Sequence, residues 1–151
     1  MISPELLRRF SLFGGMPPEM FDEIALFCEE HTFEPDTYLF EQGETATAVY
    51  LVLDGMIDLL IDMDEEGELR DTIETIVAGE MLGWSAMVEP YRYKLSAATT
   101  TRAQVIQMDA PKLNDYLNEH PHWGLILMKR VAQTIGERLT HMRTRLMSIS
   151  T

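Results

Sequence analysis

The 151-residue sequence contains a single cysteine, Cys28, so no disulfide can form within the chain, and a reducing compartment suits it. Cys28 lies in an apolar pattern read as helical, which makes it a buried, inert thiol rather than a nucleophile. Long hydrophobic runs are missing as well; nothing approaches the roughly 18 apolar residues that span a bilayer. The N-terminus, Met1-Ile2-Ser3-Pro4-Glu5, lacks the basic and apolar regions of a signal peptide. These absences point to the cytoplasm and to no membrane partner. Histidine is scarce: His31, His120, His122 and His141 are the whole supply, and none lies between Thr37 and Asp109. A cupin-type metal enzyme needs several His or carboxylate ligands converging from strands, so that class is disfavoured. No Ser-His-Asp or Cys-His set suggests itself, and the sequence reads as non-enzymatic and metal-free.

Positive charge is the other shortage. Lys and Arg number 12 against 25 Asp and Glu, for a net charge of −13. An acidic body argues against general nucleic-acid binding, which draws on a basic surface to displace counterions. The basic residues that exist gather late: residues 122–151 hold five, against the single acid Glu137. Lys129, Arg130, Arg138, Arg143 and Arg145 read as a solvated outer face, or as the contact surface of a protein partner.

The length fits one domain with a real core. Ser3-Pro4-Glu5 opens a short helix through Phe10, and Pro17-Pro18-Glu19 opens a second, with Met20, Ile24 and Phe27 on one face. After Glu34-Pro35-Asp36 the period changes. Thr37–Phe40, Ala48–Leu53, Met56–Met63 and Leu69–Val77 read as strands, with Asp54-Gly55 as a hairpin signal. The acids of Asp64-Glu65-Glu66-Gly67-Glu68 form a solvated tip whose spacing does not match a calcium loop. Leu95–Arg102 and Ala103–Asp109 read as a strand pair. Many short strands at about ten-residue spacing imply an antiparallel β-roll or jelly roll with flanking helices.

Asp109-Ala110-Pro111 starts a short helix, His120-Pro121-His122 is a joint, and a long helix runs from about Trp123 to Ser148. Met128, Ala132, Ile135, Leu139, Met142, Leu146 and Ile149 recur at alternating spacings of 4 and 3 residues, a heptad seam. A helix of that length overruns a small domain, and self-pairing about a two-fold axis buries the surplus. The expectation is a homodimer through Met128, Ala132, Ile135, Leu139, Met142 and Leu146. Residues 1–110 then form the β-roll with its N-terminal helices. Residues 111–151 form the hinge helix and dimer helix of the same domain.

One loop has the makings of a ligand site. Gly79-Glu80-Met81-Leu82-Gly83 follows a strand and leads into Trp84-Ser85-Ala86, with Arg92, Tyr93 and Lys94 a few residues on. Glycines at such a turn let successive N–H groups converge on an anion, and Arg92 lies near enough in sequence to help. Two glycines also serve simply to turn a chain between strands.

Helices, a roll, a hinge helix and a long helix, in that order, resemble the cyclic-nucleotide-binding domain family, including the sensor domains of catabolite-activator-type regulators. The motifs carrying the resemblance are Leu12-Phe13; Gly43-Glu44 with Tyr50, Val52 and Gly55; and Gly79-Glu80-Met81-Leu82-Gly83. The resemblance implies a sensing or regulatory module with a phosphate at Trp84-Ser85-Ala86, a Glu after the second Gly for the ribose, and an Arg for the phosphate. The sequence departs at both contacts. Trp84 stands in place of the ribose Glu, and Tyr93 falls at the phosphate-Arg column, with Arg92 and Lys94 on either side. These departures count against ordinary cyclic AMP binding. They leave open a cyclic nucleotide, a different small anionic or aromatic ligand, or an empty pocket on a structural dimerisation or adaptor module. Members of this type carry a DNA-reading domain after the long helix; here the sequence ends at Thr151, and DNA binding by this chain is not expected.

Overall fold

The computed structural model describes residues 2–150, with side chains through Ser148, so the seam residue Ile149 lies outside the described side chains. Two 3-10 turns, Pro4–Arg9 and Ser11–Phe13, precede α1 (Pro18–Ala25). Strands β1 (Cys28–Phe33), β2 (Tyr38–Phe40), β3 (Ala48–Asp54), β4 (Ile57–Asp62), β5 (Arg70–Ile76), β6 (Met81–Leu82), β7 (Ser96–Thr99) and β8 (Ala103–Asp109) follow. The chain then closes with α2 (Ala110–Glu119) and α3 (Pro121–Ser150). The strands form two antiparallel sheets of four, ordered β1-β8-β3-β6 and β2-β7-β4-β5. The antiparallel roll with flanking helices and a long C-terminal helix is therefore the fold.

Leu7, Phe10, Phe13, Met20 and Ile24 carry the N-terminal turns and α1 into the core. β3 is buried from Ala48 to Val52, which explains its unbroken apolar run. Its Leu51 faces the N-terminal turns and α3 across a cavity of about 200 Å³ shared with Phe10 and Leu12.

Four expectations give way here. Cys28 opens β1 rather than continuing a helix, because α1 stops at Ala25. It is buried all the same: its Sγ–H donates to the carbonyl of Ile24 at 3.2 Å, and desolvation pushes the thiol pKa up to about 12. Phe27, beyond the helix end, leaves the Met20–Ile24 stripe and packs on Tyr116, ring centroids 6.3 Å apart. Asp54-Gly55 is not a hairpin: it joins β3 of one sheet to β4 of the other. Likewise β7 and β8 do not pair with each other; β7 lies between β2 and β4, and β8 between β1 and β3. Turn chemistry marks a reversal of direction, and a roll reverses direction at corners between sheets as well as at hairpins. The β4–β5 connection is a true hairpin, its tip tied by the Asp64 carboxylate, which accepts the N–H groups of Glu68 and Leu69 at 3.0 and 3.2 Å.

At the other end, the Asp109 carboxylate caps α2 by accepting the Lys112 N–H at 3.1 Å, with Pro111 in the first turn. α3 shows two faces. Leu127, Val131 and Arg138 turn inward and are buried. On the other face Ala132, Leu139 and Leu146 are exposed, Met128 and Ile135 are half-buried against the core, and Met142 lies between these extremes. Leu125, 57% exposed and one heptad before Ala132, extends this seam toward the N-terminus. The basic outer face is narrower than expected. Lys129, Arg143 and Arg145 are exposed, Arg145 also donating to the Ile73 carbonyl, but Arg130 is half-buried and donates to the Leu12 carbonyl, and Arg138 is buried.

Candidate functional site

The loop from Gly79 to Lys94 is built around β6. Gly79 N–H donates to Val52 O and Val52 N–H to Glu80 O, both at 2.9 Å, so the first glycine turn is stitched to β3. The Glu80 carboxylate turns back on its own loop and accepts the Val77 N–H at 2.9 Å. Gly83 has φ +84°, and a Cβ there would meet Ala48 O at 3.0 Å and the rings of Tyr50 and Tyr93 at 3.6 Å. Only glycine gives both that conformation and that closeness. The chain then makes a single 3-10 turn, Trp84–Met87, whose Ala86 carbonyl accepts from the side-chain amide of Asn114 at 3.1 Å. The loop is thereby tied to α2.

The return segment pairs with the other glycine motif. Tyr93 N–H donates to Glu44 O at 3.0 Å, Gly43 N–H to Tyr93 O at 2.9 Å, and Ala46 N–H to Tyr91 O at 2.7 Å. In this extended geometry neighbouring side chains point opposite ways. Arg92 is exposed, and its guanidinium donates to the Gly43 carbonyl at 3.0 Å. Tyr93 goes inward and is only 6% exposed. Its ring stacks on Phe40 with centroids 3.7 Å apart and planes 10° from parallel. Its hydroxyl donates to Ala48 O at 2.7 Å and accepts the Ala48 N–H at 3.2 Å. Burial raises the Tyr93 pKa, against the lowering effect of those backbone hydrogen bonds; burial likewise raises that of Tyr50.

What remains open beside this plug is small. Gly83, Trp84, Ser85, Tyr93 and Lys94 line one cavity of about 50 Å³ together with Phe40, Leu59, Leu95 and Arg138. A small-molecule site usually takes about 300–1,000 Å³. Of the residues expected from sequence, those five meet there. Ala86 is buried just beyond, Gly79 and Glu80 border the separate cavity under the N-terminal turns, and Arg92 lines neither.

Arg138 is the residue that sequence reasoning placed elsewhere. It reaches in from α3, is 9% exposed, and donates through Nη2 to the carbonyl of Met81. Burial pulls its pKa down, while the charges of Glu74 and Glu80 oppose that effect. Its spacing held the signal: Leu127, Val131 and Arg138 share the inward face of α3 at helical periodicity.

A roll of two four-stranded sheets, a glycine-bounded loop beside β6 and a helix crossing the loop make up one domain. The description "cyclic nucleotide-binding domain" fits residues 30–120 at the level of the family model, and the chain belongs to that family. Among solved structures it is similar to a Geobacter metallireducens protein assigned as a cyclic nucleotide-binding protein. The two are 29% identical with a TM-score of 0.82, over 92% of this chain and 99% of that one. It is also 21% identical over 132 residues to the CRP-like cAMP-activated global transcriptional regulator of Mycobacterium tuberculosis, covering 87% of this chain and 58% of the regulator. The potassium channel KAT1 of Oryza sativa is 21% identical over 133 residues, 88% of this chain and 18% of the channel. The chain thus spans a part of each of these two relatives. Among the described residues no helix is long and apolar enough to cross a membrane.

Proposed function

We propose that this chain is a non-catalytic, homodimeric ligand-sensing module whose pocket does not take cyclic AMP in the ordinary way. The observation that carries this reading is the position of Arg138. The cavity at Gly83, Trp84 and Ser85 is lined on its other side by the helix that bears the exposed heptad seam. A ligand entering there touches α3 directly, and it acts as a switch by binding two arrangements of that helix with different affinity. Tyr93 supports the second half of the proposal. It occupies space beside the loop, and Trp84 offers no carboxylate for a sugar hydroxyl.

A thermal-shift comparison tests the proposal. Binding to the native state raises the melting temperature by mass action, so cyclic AMP and cyclic GMP at about 1 mM are expected to move Tm by less than about 1 °C. A saturable rise with either nucleotide contradicts the variant-pocket reading.

A further inference from the structure

Arg138 carries more than a helix contact. A guanidinium has five N–H donors, and among the described residues one donated bond, from Nη2 to Met81 O, holds it in place. Its Nε is buried without a hydrogen-bond partner. Two other buried atoms among the described residues share that condition, Asp62 Oδ1 and Arg70 Nε, but they face each other at 2.9 Å as an ion pair. Arg138 has no such relief: among the described residues no carboxylate lies within 4.0 Å of it, and Glu74 and Glu80 act only from farther off. A buried charge left incompletely paired is costly, and a bound anion would offset that cost. The cavity it lines is also bordered by Ser85, a buried residue, and by Lys94, which is exposed at its mouth. Two cations and a hydroxyl border one small space with no carboxylate among the lining residues, a set that suits an oxyanion.

We propose that Arg138, with Lys94 and Ser85, binds a small phosphate-type oxyanion, so that the charge recognising the ligand is supplied by α3 and not by the loop. The cavity of about 50 Å³ admits such a group more readily than a whole nucleotide. The planar fork of Arg138 matches two oxygens, Lys94 adds a point charge, and Ser85 adds a donor. The inference rests on the sensing reading above and names the ligand class for the same site.

The experiment measures Tm at fixed ionic strength with inorganic phosphate, inorganic pyrophosphate or cyclic AMP at low millimolar concentration. It uses the wild type, Arg138→Met and Arg138→Lys. A chain of net charge −13 repels anions in bulk, so an anion-specific rise reports a local site. The expected result is a saturable rise of about 5 °C with phosphate or pyrophosphate in the wild type, and none in Arg138→Met. Cyclic AMP separates the sources: a rise with the inorganic anions alone points to a free oxyanion. Arg138→Lys keeps the charge and loses the fork, and is expected to raise the half-saturating concentration about tenfold or more. Should Arg138→Met not fold by circular dichroism, the Lys variant decides. No rise in the wild type with any of the three, a full rise in Arg138→Met, or equal half-saturation in Arg138→Lys overturns the proposal. A rise that persists without Arg138 removes this residue while leaving the sensing reading intact. A rise that depends on Arg138 but leaves the helices unmoved does the reverse.

Discussion

Replacing Leu139 and Leu146 together by glutamate is expected to convert the proposed dimer to monomers. The two leucines are 55% and 68% exposed on α3, spaced one heptad apart and in line with Ala132 and Leu125. α3 has 30 residues, about 45 Å at 1.5 Å per residue, and its inward face is already committed to Leu127, Val131 and Arg138. The outward line is therefore free to meet its own copy about a two-fold axis. Burying a leucine contributes about 1.5 kcal/mol or more, so four across the pair contribute about 6 kcal/mol, roughly ten-thousand-fold in Kd. The glutamates add like-charge repulsion across the seam. Light scattering is expected to give twice the chain mass for the wild type and the chain mass for the variant. Because neither side chain is buried in the fold, circular dichroism should stay unchanged. A wild type that is monomeric throughout the micromolar range removes the dimer from the account.

The second large effect is on stability, at Gly55. This residue turns the corner between the two sheets with φ +94°. A Cβ there would lie 2.5 Å from Arg102 O and 2.7 Å from the Cα of Ala103. Both atoms belong to backbone leading into β8, which is held between β1 and β3 and cannot retreat. Gly55→Ala is expected to cost about 3 kcal/mol, lowering Tm by about 10 °C. Gly79 is the control. It has φ +92°, but no atom of the described residues lies within 4 Å of where a Cβ would sit, so Gly79→Ala should cost only the conformational penalty, about 1 kcal/mol. Equal losses at the two positions would show that the contact with the β7–β8 corner carries no weight.

The sequence made the elements readable more than their partners. Ala-Val-Tyr-Leu-Val-Leu reads as a buried strand, and Asp109-Ala110-Pro111 as a helix start, because both signals are local. Asp54-Gly55 was legible as a turn but not as a corner between sheets, since a turn does not say which strand comes to lie beside which. β1 escaped because Phe27-Cys28 follows an amphipathic helix directly, with no glycine or proline to mark the change of period. In the candidate site, the parity of the 92–94 segment was readable: Tyr93 faces in while Arg92 and Lys94 are exposed. Arg138 was harder. A basic residue on a basic helix reads as solvated, and only the packing of α3 over β6 brings its guanidinium to the loop.

That packing is the centre of the account, and a distance across the proposed helix pair tests it most directly. Arg143 is exposed near the end of α3, and Cys28 is too deeply buried, with its pKa near 12, to compete for a thiol label. Arg143→Cys can therefore carry one spin label per chain. Pulsed electron paramagnetic resonance is expected to give a single inter-label distance that shifts on saturation with pyrophosphate, as the helices rearrange around a ligand held by Arg138. An unchanged distance distribution, at a pyrophosphate concentration where the melting temperature has already risen to its plateau, would contradict the coupling of this site to α3.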